Sequence, residues 1–187
     1  MHQQSLGLTV TQTRDKLIRL LREQPSSDLI PELVTSLEQQ QPADLNRDAD
    51  QLRGIWDLRW SSSKQPWLKQ APWLENLQIL DPENGRGRNC LRLAGPLGGL
   101  VAIQVDAELQ VINEKRVEVR FRRGGWVGPR LGGIHLQLMR EVKQSFPAWL
   151  DMTVLDEDLR ICRGNAETSF ALLRRPTPAA KMDDLWA

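Results

Sequence analysis

Asp151-Met152-Thr153-Val154-Leu155-Asp156-Glu157-Asp158-Leu159-Arg160-Ile161-Cys162-Arg163-Gly164-Asn165-Ala166-Glu167-Thr168-Ser169-Phe170-Ala171-Leu172-Leu173-Arg174-Arg175 is the stretch on which the fold turns. Asp156-Glu157-Asp158 makes one turn and Gly164-Asn165 opens a second, which cuts the segment into three short strands. By the two-residue period of a strand, Leu159, Ile161 and Arg163 share one face of the middle strand. Phe170, Leu172 and Arg174 share one face of the last. A meander this small cannot bury enough surface alone, so it needs further strands, a helix, or closure on itself.

Gly54-Ile55-Trp56-Asp57-Leu58-Arg59-Trp60 supplies the partner, because Trp56, Leu58 and Trp60 alternate with Asp57 and Arg59. Antiparallel pairing of this first strand with the last closes a barrel that has no free edge. Between them the alternation recurs. Leu77 and Ile79 lead into the turn Asp81-Pro82-Glu83-Asn84-Gly85, and Leu91 and Leu93 follow. Val101, Ile103, Val105, Ala107 and Leu109 alternate with polar neighbours, as do Val117, Val119 and Phe121 against Arg116, Glu118, Arg120 and Arg122. The segment Ile134 to Val142 is either a short helix or an irregular strand.

Upstream, Leu17, Ile18, Leu20 and Leu21 fall on one side of a helix that Pro25 ends. Leu29, Ile30, Leu33, Val34 and Leu37 define a second helix, with Pro31 tolerated in its first turn and Ser27 or Asp28 as the cap. The fold class is therefore mainly β: an antiparallel up-and-down barrel of about eight strands (51–175) preceded by two N-terminal helices (1–50) and followed by a tail (176–187). Residues 43–53 read as a short helix or a linker.

With 187 residues and a formal net charge of +1, the chain makes one ordinary domain and gives no electrostatic reason to propose a nucleic-acid partner. Cys90 and Cys162 are isolated, lack metal spacing, and read as reduced buried thiols of an intracellular protein. No basic segment followed by an apolar core marks a signal peptide, and no run approaches the roughly 20 residues that span a bilayer. His135 has only His2 for company, so no metal site is expected. The glycine-rich stretches at Gly95–Gly99 and Gly124–Gly133 lack the lysine and hydroxyl of a phosphate loop. Asp156 and Glu157 solvate a turn rather than form an acid/base pair, and no nucleophile elbow occurs. Neither a catalytic constellation nor a cofactor is expected.

Gly54-Ile55-Trp56-Asp57-Leu58 through Ser61-Ser62, then Ile79-Leu80-Asp81-Pro82, and finally Leu155 to Gly164 with Phe170-Ala171-Leu172 resemble the plastid lipid-associated proteins, also called fibrillins or plastoglobulins. The resemblance implies a lipocalin-like barrel, a lipid, quinone or carotenoid as ligand, and association with photosynthetic membranes. Without a transit peptide, and with no tyrosine in the chain, a cyanobacterial member is expected. That member would be cytoplasmic or peripheral on the thylakoid. The rival functions are a lipocalin-like enzyme, such as a bilin chromophore lyase, and an assembly protein of photosynthetic complexes with a filled barrel.

By strand parity Leu58, Trp60, Val101, Ile103, Val105, Val117, Val119, Phe121, Ile161, Phe170 and Leu172 face inward and form core or ligand pocket. Trp56 plugs the floor, and Arg174 rather than Arg163 stacks on it, because the end of an antiparallel last strand lies beside the beginning of the first. Trp126, with Arg123 and Arg130, suits a lipid headgroup layer. Trp67, Leu68, Trp73 and Leu74 belong to a proline-punctuated segment at the barrel mouth.

Overall fold

The structure is a computed structural model, and it describes residues 9–65, 68, 71–95, 100–132, 134–143, 147–165, 167–178, 182 and 185–186. His2, Trp67, residues 96–99 and the side chains of Arg130 and His135 lie outside the described residues. Helices α1 (Val10–Glu23), α2 (Ile30–Gln40) and α3 (Leu45–Asp48) and a 3-10 turn (Ala49–Leu52) come first. The strands are β1 (Gly54–Ser61), β2 (Leu74–Asp81), β3 (Arg86–Leu93), β4 (Ala102–Val111), β5 (Arg116–Leu131), β6 (Ile134–Glu141), β7 (Ala148–Leu155), β8 (Leu159–Gly164) and β9 (Ser169–Arg175).

Helix α1 begins at a reciprocal capping box in which Thr9 Oγ1 accepts from the Gln12 backbone N–H and the Gln12 side chain accepts from Thr9 N–H. Leu29, rather than Ser27 or Asp28, is the N-cap of helix α2, and the helix has no side-chain cap. Its first turn accommodates Pro31, whose missing N–H has no helical acceptor to lose.

The sheet closes on itself. Antiparallel pairing runs β1-β2-β3-β4-β5-β7-β8-β9 and returns to β1, so eight strands make the ring. The ninth, β6, explains the ambiguous segment: it pairs with the far half of the 16-residue β5, from Arg123↔Glu141 to Leu131↔Ile134. Strand β7 takes only the first four residues of β5, from Arg116↔Asp151 to Val119↔Ala148. Strands β4, β5 and β6 therefore continue past the last β7 pair as a flap at one end of the barrel.

Three apolar clusters follow from this topology. Leu17, Ile18 and Leu21 of α1 and Ile30, Leu33, Val34 and Leu37 of α2 cover the outer face of β7–β9, where they meet Val154, Leu159, Ile161, Ala171 and Leu173. Inside the ring lie Trp56, Leu58, Leu80, Val117, Met152, Leu155, Cys162 and Leu172. Leu45 and Leu52 join that inner group and cap its lower end. The tail contributes a second outer layer, with Met182, Leu185 and Trp186 against Ile55, Leu77 and Ile79.

Two of the inward assignments fail, for separate reasons. Strand β8 is buried on both faces, so Leu159, Arg160, Ile161 and Cys162 are all inaccessible and the alternation carries no polarity signal. The structure turns Ile161 outward onto the helices and Arg160 and Cys162 inward, the reverse of the reading from the sequence. Trp60 is displaced by a β-bulge: Leu58 pairs with Leu172 but Trp60 pairs with Ala171, so Arg59 is the extra residue and every later side chain of β1 changes face. Trp60 thus packs against the helix cluster.

Candidate functional site

The floor of the barrel is built on Trp56, which is fully buried and donates its indole Nε1–H to Leu52 O at 2.9 Å. Register places Trp56 opposite Arg174, and the guanidinium carbon of Arg174 lies 4.3 Å from the indole centroid. Arg174 is held there by three backbone carbonyls: Arg53 O at 2.7 Å, Gln51 O and Glu157 O. Burial pulls its pKa down, while Asp158, Asp156 and Glu157 pull it up by charge. Gly54, at φ +156°, makes room, since a Cβ at that position would sit 2.4 Å from Arg174 Nη1. Arg163 is elsewhere, on the outside, donating from Nε to Glu38 Oε1 of α2 at 3.0 Å.

A second arginine shares the floor. Arg160 is 0% exposed, its guanidinium carbon lies 5.2 Å from the same indole, and its Nη2 donates to Gln78 Oε1. Burial pushes its pKa down to about 10, with the neighbouring Arg174 charge acting in the same direction, and it remains a cation at neutral pH. Burial also raises the Cys162 thiol on the same face, which leaves it protonated.

Above the floor the lining is apolar. Leu58, Val117, Met152 and Leu172 are buried there, and Phe170, Leu109 and Leu150 are half-buried around them. Val119 is buried, whereas Phe121 and Val105, respectively two and four residue pairs nearer the flap, are half-buried.

At the open end the same face continues onto the flap. Strand β4 alternates without interruption against β3, so Ile103 and Val105 share the face of the inward Leu109. Leu91↔Ile103, Ile103↔Trp126 and Trp126↔Leu138 are direct cross-strand partners, and partners share a face. The result is an apolar row across β3–β6, of which Ile103 is 55%, Trp126 38% and Leu138 61% exposed. Val101, just before β4, is also exposed. Strands β7–β9 end below this row, so no facing wall covers it among the described residues.

Arg123 does not share this surface. It lies on the opposite face, where its Nε donates to Asp106 Oδ2 at 2.7 Å. Among the described side chains, Arg140 is a cation on the face of Trp126, exposed and opposite Gly124. Sequence reading missed Arg160, Arg140 and Leu138. The signal for Arg160 was an arginine inside a run of apolar residues, and for the other two it was the undecided class of β6.

Outside the ring, a cleft of about 830 Å³ lies between the end of α1, β1, Ser63, Leu68 and residues 71–75. Trp60, Leu68 and Leu74 line it together with Asp57, Glu75 and Arg175, whose charges pair with one another. Among the described residues no three metal-ligating groups gather, and Asp156, raised as a candidate acid, is taken up by Arg14 and two turn N–H groups. Among the described residues no helix is long and apolar enough to cross a membrane.

The sequence profile of the PAP_fibrillin family matches residues 18–173. Among curated proteins, the chain is 28% identical to "Probable plastid-lipid-associated protein 2, chloroplastic" of Arabidopsis thaliana, over 80% of this chain and 63% of that protein. It is 26% identical to "Light-induced protein, chloroplastic" of Solanum tuberosum, over 81% of this chain and 61% of that protein. The chain thus spans about three fifths of the length of these relatives. No solved structure matches it. With a profile match running from the first helix to the last strand, and a closed antiparallel barrel behind N-terminal helices, the chain belongs to the plastid lipid-associated, or fibrillin, family.

Proposed function

We propose that the protein binds a small apolar molecule, a lipid, quinone or carotenoid, at the open end of the barrel, without transforming it. The observation that carries this reading is the exposed row Ile103–Trp126–Leu138, continuous with the buried lining below it. An exposed, ordered apolar surface costs free energy until something covers it. A ligand removing about 200 Å² of apolar surface from water gains ~5 kcal/mol before ordering costs. The lower half of the barrel is filled by Trp56 and its neighbours, so the ligand is held in the upper half and under the flap. The name of the Arabidopsis thaliana relative speaks of plastid lipid association, which is the chemistry that such a rim suits. A peripheral position on a photosynthetic membrane, where these ligands are concentrated, accompanies this role.

The test is fluorescence titration with a short-chain quinone, which quenches nearby indoles. Wild type saturates, Ile103→Glu and Val119→Lys lose saturable quenching, and Trp60→Ala keeps it. Loss on Trp60→Ala with retention in the other two moves the ligand to the outer cleft and refutes the assignment.

A further inference from the structure

We propose that the outer cleft beside Trp60 binds the ring of a neutral sugar, a hexose that is either free or the head of a glycolipid. This second site lies on the face of the sheet opposite the barrel interior, because Asp57 and Arg175 point out of the ring while Trp56, Leu58 and Leu172 point in. Its volume of about 830 Å³ falls within the roughly 300–1,000 Å³ of small-molecule sites.

The lining combines an indole with charges that cancel. Trp60, Leu68 and Leu74 give an apolar wall, and Arg22, Arg59 and Arg175 stand against Glu23, Asp57 and Glu75. With the positive and negative groups of the described lining in balance, no net field favours an ion. A hydrocarbon fares no better, since it would take water from these groups and return no hydrogen bond. A hydroxyl is donor and acceptor at once, so a ring of hydroxyls serves both signs of charge. The C–H face of such a ring, slightly positive, lies against the negative face of an indole.

Two polar groups of the lining have hydrogen-bonding capacity to spare. Asp57 is half-buried, and burial pushes its carboxyl up despite Arg59 and Arg175. Its nearest described donors are Arg175 Nη2 at 3.4 Å and Arg59 Nη1 at 3.7 Å, both beyond the ~2.7–3.2 Å of ordinary N–H···O bonds. Those arginines are engaged more closely elsewhere, Arg175 with Glu75 Oε1 at 3.0 Å and Arg59 Nε with Leu21 O at 3.0 Å. Glu75, by contrast, also receives Arg92 Nε at 2.7 Å. Arg22, in the last turn of α1, is exposed and lines the cleft, and among the described residues no ion pair holds its guanidinium. One hydroxyl donates to Asp57 and another accepts from Arg22, while the ring lies on Trp60.

The test follows the indole N–H signals by NMR during titration with methyl β-glucoside, methyl β-galactoside and glycerol, the Trp60 signal being the one that Trp60→Phe removes. A hexoside shifts that signal saturably, and glycerol, which has hydroxyls but no ring, does not. Asp57→Asn weakens hexoside binding at least about tenfold and Arg22→Ala about threefold. Arg22→Ala touches only an exposed side chain, so it reads the site even if Asp57→Asn does not fold. Arg19→Ala, which removes an exposed arginine of the same helix outside the cleft, leaves binding unchanged. Flotation with phosphatidylcholine vesicles, with and without the diacylglycerol glycoside of the tighter hexose, separates the two sources. Enhanced flotation that the free hexoside competes away assigns the site to a glycolipid head, and hexoside binding without enhancement assigns it to a free sugar. No shift of Trp60 with either hexoside, an equal shift with glycerol, or an affinity that both variants leave intact overturns the sugar site. A hexoside that displaces the short-chain quinone places both ligands in one site and overturns the separate cleft. Without displacement, the cleft and the barrel rim stand or fall independently.

Discussion

Replacing Arg174 by alanine removes the guanidinium that ties the last strand to the floor. The side chain donates to Arg53 O, Gln51 O and Glu157 O and lies 4.3 Å from the Trp56 ring, so one substitution breaks three charge-assisted hydrogen bonds and one cation–π contact. The side chain is half-buried, so water can reach part of the vacated space. About 1 kcal/mol for each hydrogen bond, below the ~1.5–3 kcal/mol typical of charged groups because this side chain is only half-buried, and about 1 kcal/mol for the stack give a loss of ~4 kcal/mol. With a urea m-value of ~2 kcal/mol/M the unfolding midpoint falls by about 2 M. Arg163→Ala is the control, because its pair with Glu38 on α2 is more than a third exposed at the arginine and contributes under ~1 kcal/mol, or about 0.5 M. Arg174→Lys rescues little, since an ammonium cannot reproduce a planar fork that reaches three carbonyls. Urea titration followed by tryptophan fluorescence and circular dichroism reads all three variants. An unchanged midpoint for Arg174→Ala beside a large drop for Arg163→Ala refutes the account of closure.

Acid should loosen the helix layer through Asp156. Burial pushes its carboxyl up, but hydrogen bonds from Arg14 and from the Asp158 and Leu159 N–H groups more than offset this and hold it below the usual range. Its stabilisation is therefore complete above an unfolded pKa of about 4 and disappears as pH falls through the lower folded value. Asp156→Asn is expected to lose ~2 kcal/mol at neutral pH, with the gap to wild type closing below about pH 4 in denaturant titrations; a gap independent of pH excludes the linkage. At the rim, Trp126→Ala and Leu138→Ser should each weaken flotation with anionic vesicles severalfold, whereas Arg123→Ala, on the other face, should act only weakly through salt-sensitive long-range charge. Loss with Arg123→Ala alone makes the outer face the membrane contact.

The period of apolar residues and the spacing of turn clusters were enough to read the barrel class, the two helices, the three-strand ending and the direction in which the last strand meets the first. These are local properties: a turn such as Asp156-Glu157-Asp158 and an alternation such as Val117–Phe121 need no distant partner to be legible. The placement of Arg174 over Trp56 follows from them by antiparallel direction. Which face of a strand becomes the inside is a different matter when both faces are covered. Strand β8 is sandwiched between the barrel interior and the α1–α2 layer, so Leu159-Arg160-Ile161-Cys162 shows no polar side, and only packing of the helices decides that Arg160 points in. The bulge after Leu58 likewise arises from pairing with β9 and reverses the outcome for Trp60 without any mark in β1 itself. The long-range choice of β5, which leaves β7 after Val119 and takes up β6 from Arg123, creates the uncovered row Ile103–Trp126–Leu138. Strand order and register are contacts between residues far apart in the chain, and they alone turn an alternating pattern into a floor, a lining and a rim.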